Sequence, residues 1–145
     1  MFKHILIPTD GSDLAGQAVE RGIAFAAEAG AEVTILTVSE LFHIPGTDAV
    51  QIESTRVNYE ANAIAFAKEI LAAAEEKAKA AGVAVTTRHK WHDYPYEAII
   101  DAALEDGCDL IAMASHGRRG VAAIVLGSQA TKVLTHSKIP VLVYR

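Results

Sequence analysis

Short apolar runs alternate along the chain with longer segments whose apolar positions recur every three or four residues. Ile5-Leu6-Ile7 reads as a buried strand, closed by Pro8-Thr9-Asp10-Gly11-Ser12, a turn and helix-start cluster. Ser12 or Asp13 caps the helix that follows, which buries Ala15, Val19, Ile23 and Ala26 and ends at Gly30, a left-handed C-cap. Residues 33–38 form a second, β-branched strand. Residues 39–54 have no clean period and contain Pro45 and Gly46, which predicts a long loop of the kind that serves as a lid. The longest helix spans 55–81, with Val57, Ala61, Ile64, Ala67, Leu71, Ala74, Ala78 and Ala81 on one stripe and Gly82 as its stop.

Val83, Val85 and Thr87 alternate with less apolar neighbours and lead into Arg88-His89-Lys90, the pattern of a half-exposed edge strand. Pro95 opens a third helix that turns Tyr96, Ile99, Ile100, Ala103 and Leu104 inward. Residues 110–113 are a fully apolar strand, and 114–125 are mostly loop, with room for a helical turn at 121–125. A fourth helix over 127–136 buries Ala130, Val133 and Leu134, and Pro140 precedes a last strand, Val141-Leu142-Val143. Five strands and four helices in alternation predict a doubly wound α/β fold, a mostly parallel sheet covered on both faces, in one domain over 1–145. The last strand is apolar at every position. Either it lies at an edge and pairs with a second copy in a homodimer, or it is flanked within its own sheet.

Composition narrows the function. A formal net charge of −5 argues against a general nucleic-acid binder, which needs a basic face. The one cysteine, Cys108, excludes an internal disulfide and reads as a small hydrophobe, with a cytoplasmic setting expected. No run approaches a membrane span or a secretory core.

Ligands of open α/β sheets bind beyond the carboxyl ends of the strands, where Pro8, Thr9 and Asp10, then Val38-Ser39, then Ala114-Ser115-His116-Gly117 are predicted to lie. The third segment continues through Arg118-Arg119-Gly120 and reaches Gly127-Ser128 at a helix start. Glycines admit phosphate close to the backbone, free helix amides attract anions, and Ser128 and the arginines add donors and charge. These parts describe a polyphosphate cradle. A glycine loop with a capped helix and solvent-facing arginines is the plain alternative. Neither a Walker P-loop nor G-x-G-x-x-G is present. The six histidines are scattered and support no zinc site; His116 alone falls in the candidate site, where a local hydrogen bond is expected of it. Trp91, His92, Asp93, Tyr94 and Tyr96 form an aromatic stretch, either pocket wall, protein contact or partly buried loop.

Three landmarks, Ile-Leu-Ile-Pro-Thr-Asp-Gly-Ser at the start, Met113-Ala-Ser-His-Gly-Arg-Arg-Gly120, and Leu126-Gly-Ser to Pro140-Val-Leu-Val, together resemble the universal stress protein family across the whole chain. The resemblance implies strand order 3-2-1-4-5, an adenine nucleotide alpha hydrolase-like (Rossmann-like) fold, and dimerisation through Val141–Val143. It also implies ATP binding through a G-x2-G-x9-G-[ST] signature. Gly117, then 118–126, then Gly127 and Ser128 match it, and Ala114 replaces its first glycine. Carried over, Thr9 and Asp10 lie near the ribose or a bound Mg²⁺ or Mn²⁺, with Asp10 the metal candidate. Val38 contacts the adenine, Met113 floors the site, and Gly117, Gly127, Ser128 and Gln129 hold phosphates.

The expected function is that of a cytoplasmic stress regulator that switches on binding ATP or another adenine nucleotide, with a protein partner of unknown identity. The alternatives are a nucleotide-independent stress protein acting by protein contacts, or a slow ATPase. No nucleophile, base and orienter stand in an arranged set, so no catalytic residue is assigned. Gly127→Val is expected to block phosphate approach while sparing the fold.

Overall fold

The computed structural model describes residues 1–43, 49–117 and 126–145. The elements run β1 (His4–Pro8), α1 (Asp13–Ala29), β2 (Glu32–Ser39), α2 (Ala49–Ala80), β3 (Val85–Trp91), α3 (Pro95–Glu105), β4 (Leu110–Ala114), α4 (Ser128–His136) and β5 (Val141–Tyr144). The strands form one parallel sheet in the order β3-β2-β1-β4-β5. The doubly wound fold and the 3-2-1-4-5 order are therefore as expected.

Alternation along the central strands explains the two cores. Ile5, Ile7, Val33 and Ile35 face α1 and α2, where they meet Val19, Ile23, Leu71 and Ala78. Leu6, Leu36, Ile111 and Met113 face α3 and α4, where they meet Ile99, Ala102 and Val133. Strands buried on both faces must be apolar at nearly every position, which is why these runs stand out in the sequence. Thr34 is one of two exceptions in β2, with Thr37. Thr34 is fully buried, and its hydroxyl lies 2.8 Å from His4 Nε2 and 3.2 Å from Asp106 Oδ2, so its polar atom is satisfied.

Ser12 is the N-cap of α1, its hydroxyl accepting from the Ala15 amide at 3.3 Å, and Gly30 closes the helix in the left-handed conformation. β3 is an edge strand, as its half-exposed pattern predicts, and it carries the paired cations Arg88 and Lys90, which meet Glu105 and Asp106. Cys108 is buried, and burial pushes its thiol up to about 12, so it is the inert small hydrophobe expected.

Three expectations fail. Residues 49–54 are the first turns of α2, not loop. Glu53, Arg56 and Glu60 pair at helical spacing there, a helix signal carried by charge and invisible to an apolar period. The stripe on α2 is core only from Ala67 onward; Val57 and Ile64 are 52% and 45% exposed, and Ala61 and Ala81 are exposed too. The cause is length. Thirty-two helical residues span about 48 Å, far more than an eight-residue strand covers, so the N-terminal turns project past the sheet. Leu104 and Leu134 are 63% and 42% exposed, because close packing of α3 and α4 on the sheet admits Ala98, Ala102, Ala103, Ala130 and Val133 instead.

Candidate functional site

β1 has β2 on one side and β4 on the other, and the chain leaves these neighbouring strands toward opposite faces. A cleft of about 690 Å³ opens there, beyond the carboxyl ends, within the range of small-molecule sites. Pro8, Thr9, Asp10, Val38, Met113, Ala114, His116, Gly117, Gly127, Ser128 and Gln129 all line it. The structure thus brings together every proposed site residue that it describes. Arg118 and Arg119 lie outside the described residues.

The floor is rigid because its backbone groups are tied together. The Thr9 amide donates to the Leu36 carbonyl at 2.8 Å, and the Thr9 carbonyl accepts from the buried Thr37 hydroxyl. Thr9 Oγ1 accepts from the Gly11 amide at 3.3 Å. Asp10 Oδ1 accepts from the Ser12 amide at 3.0 Å, an Asx turn that fixes the carboxylate at the cleft. Its other oxygen, Oδ2, lies 2.5 Å from where a Cβ on Gly117 would stand, so any larger residue there would push the Asp10 carboxylate aside. Helix-start and ligand roles for Asp10 are therefore compatible: one oxygen serves the turn and the other faces the loop.

Ser115 ties the loop down. Its amide donates to the Tyr144 carbonyl at 2.7 Å, and its carbonyl accepts from the Gly127 amide at 2.8 Å. Its hydroxyl lies 3.0 Å from His116 Nδ1, the local role expected of that histidine. Gly127 therefore spends its own amide on Ser115, and its contribution to the cleft is close approach. A Cβ there would stand 2.8 Å from the Ser115 carbonyl oxygen and 3.3 Å from His116 Cα. Gly127→Val would displace the backbone of residues 115–116, so a loss of nucleotide binding in that variant would combine local rearrangement with blocked phosphate approach.

Gly127 is the N-cap of α4. The amides of Ser128, Gln129 and Ala130 consequently have no carbonyl within the helix to bond and sit at its positive end. The Gln129 side chain also joins two helices. Its Oε1 accepts from the Tyr96 amide at 3.0 Å, capping α3, whose own N-cap Tyr94 makes no side-chain cap. Ala114, where the signature has glycine, sits within β4, and no non-glycine residue described has positive φ. Its methyl packs with Ala15 and Ala18 of α1. The substitution is accommodated without backbone strain.

The overhanging turns of α2 supply a wall that sequence reasoning missed: Tyr59, Asn62, Ala63, Phe66 and Ile70. The signal for it is a second stripe at spacing 3–4, beside the one that reads as core. The aromatic stretch is divided. Asp93 and Pro95 line the cleft, Tyr94 is 57% exposed, and Trp91 ends β3 with its ring 5.1 Å from His89 and 6.4 Å from Tyr59. The part of 39–43 nearest the cleft is anchored as well: the Tyr59 hydroxyl donates to the Glu40 carbonyl at 2.7 Å, and His43 Nε2 lies 2.7 Å from Asp93 Oδ2.

This cleft geometry coincides with a match of the universal stress protein family to residues 1–145. The chain belongs to the universal stress protein family. It is 32% identical to the universal stress protein YxiE of Bacillus subtilis, over the full length of both. The solved structure of MJ0577, a universal stress protein of Methanocaldococcus jannaschii, superposes with a TM-score of 0.82 at 29% identity, covering 99% of this chain and 95% of that one. A solved universal stress protein in complex with cAMP superposes with a TM-score of 0.70 at 28% identity, covering 99% of this chain and 97% of that one. Among the described residues, no helix is long and apolar enough to cross a membrane.

Proposed function

We propose that this universal stress protein binds an adenine nucleotide in the cleft and acts, as a homodimer, as a nucleotide-responsive regulator of a protein partner in the stress response. The observation that carries the reading is the meeting in one cleft of two features that favour an anion, the first-turn amides of α4 and the close backbone approach at Gly117 and Gly127, with the Asp10 carboxylate beside them as a cation ligand. The adenine would lie on Val38 and Met113, between Pro95 and Ile99. The cAMP bound by a relative supports the adenylate class. Among the described residues, no group of three or more His, Cys, Asp and Glu could hold a metal by itself. A Mg²⁺ or Mn²⁺ would take Asp10 together with phosphate oxygens, a hard-oxygen set that suits either ion, and would offset the charge between them. Domain 1–145 would act as a unit in the cytoplasm, with hydrolysis at most slow.

Ser128→Pro tests the site. Proline is tolerated at the first helical position, and Gly127, at φ −63° and ψ 160°, already has the backbone that precedes proline well. The variant keeps α4 but deletes one anion-facing amide and a hydroxyl. Losing a hydrogen bond to a charged phosphate should weaken AMP and Mg-ATP binding about ten- to hundredfold. Calorimetry on the folded variant reads this out; unchanged affinity would move the phosphate elsewhere. Absence of any midpoint shift of the wild type with millimolar AMP, cAMP or Mg-ATP would favour the nucleotide-independent alternative.

A further inference from the structure

Asn62, on the projecting turns of α2, lines the cleft and is exposed. Among the described residues its carboxamide has no hydrogen-bond partner. Its polar neighbours on that side of the cleft are engaged within the protein. The Tyr59 hydroxyl donates to the Glu40 carbonyl, Ser39 Oγ lies 2.7 Å from His89 Nε2, and Asp93 meets His43.

Two contacts fix where Asn62 stands over the sheet. One turn before it, Tyr59 is bonded to Glu40, just past the end of β2. One turn after it, the Phe66 ring reaches the turn that follows β1, its Cζ 3.4 Å from where a Cβ on Gly11 would stand. At about 1.5 Å of rise per residue, Asn62 is about 4.5 Å along α2 from the first landmark and about 6 Å from the second. It therefore sits over the seam between β2 and β1, which are neighbours in the sheet. Gly117, Gly127 and Ser128 belong to the segment after β4, on the other side of β1. A nucleotide with its base on Val38 of β2 and its phosphate at Ser128 crosses β1 with its sugar. The sugar is thus the part that passes beside Asn62.

The chemistry of the side chain suits that part. A ribose hydroxyl both donates and accepts, and a carboxamide offers two N–H donors and a carbonyl acceptor. The bond from Tyr59 to Glu40 ties this stretch of α2 to the end of β2, so the amide is positioned before a ligand arrives.

Resting on the nucleotide reading, we propose that Asn62 hydrogen-bonds a ribose hydroxyl and makes the cleft selective for nucleotides whose sugar carries both hydroxyls.

Calorimetry with AMP and its 2′-deoxy and 3′-deoxy forms, on the wild type and on Asn62→Ala, tests this. The position is exposed and helical, so alanine keeps the fold, which circular dichroism verifies. The wild type should bind one of the deoxy forms about fivefold more weakly than AMP, the effect of one neutral hydrogen bond. In Asn62→Ala, AMP should weaken by a similar factor, and the preference for AMP over that deoxy form should vanish. Equal binding of all three by the wild type would mean that no hydroxyl is read. A preference that persists in Asn62→Ala would assign the sugar to another group, and an equal loss for all three would make Asn62 a support of α2 alone. Each of these results overturns this inference and leaves the nucleotide reading standing. If the wild type binds none of the three, the nucleotide reading falls and takes this one with it.

Discussion

Gly11 shows how much of the cleft rests on single backbone positions. Its φ of +81° lies in the left-handed region, where an L side chain is strained. An added methyl would also press on the end of the Ile70 side chain. Gly11→Ala is expected to cost about 1–3 kcal/mol, a fall of roughly 4 °C in unfolding midpoint per kcal/mol for a chain of this size. Thermal unfolding by circular dichroism checks this. A neutral outcome would mean that the turn relaxes and that the Asp10–Gly117 approach is not fixed by it. Ser115, Gly127 and Gln129 extend the same point: each ties separate segments together through hydrogen bonds, so each supports the site without needing to touch a ligand.

At the level of elements, the projecting turns of α2 are held to the sheet by a polar and aromatic cluster rather than by the main core. Tyr59 reaches Glu40 and Trp91, and His89 packs on Trp91 while its Nε2 lies 2.7 Å from Ser39 Oγ. Burial lowers the pKa of His89 below the ordinary histidine value, so the fold favours its neutral form. Stability from this group is then complete above about pH 6.5 and is lost as pH falls through the lower folded value. Carboxylates held low by cation partners, Glu105 beside Arg88 and Lys90 and Glu20 beside Lys77, give way only at lower pH, near and below the ordinary carboxylate range. The unfolding midpoint should therefore drop between pH 7 and 5.5, and His89→Asn should flatten that part of the profile. Trp91 is the chain's one tryptophan, so its fluorescence reports the cluster directly. An unchanged slope in the variant would assign the pH response to other groups.

At the level of the whole molecule, β5 closes one side of the sheet. The Pro140 and Tyr144 carbonyls accept from Ile111 and Ser115 of the β4 side. Alternation along a strand therefore turns the backbone groups of Val141 and Val143 to the open edge. A second copy pairing there would form the proposed two-fold dimer. Val143→Pro deletes an outward amide at an edge, where proline is tolerated. Light scattering should show it monomeric or in weakened exchange with the dimer, with circular dichroism unchanged. A folded variant that stays fully dimeric would place the interface elsewhere.

The amino-acid pattern by itself determined the alternation of elements, the apolar central strands and the caps at Ser12 and Gly30, because each follows from local periodicity, from a capping side chain or from a backbone conformation few residues allow. It also carried the family resemblance that implied the sheet order. Tertiary structure alone decided that Leu104 and Leu134 face water, that α2 outruns the sheet to wall the cleft, and that Ala114 points its methyl at α1. Those depend on helix length set against strand length, and on how closely a helix must approach the sheet. Neither distance is written in the spacing of apolar residues along one segment.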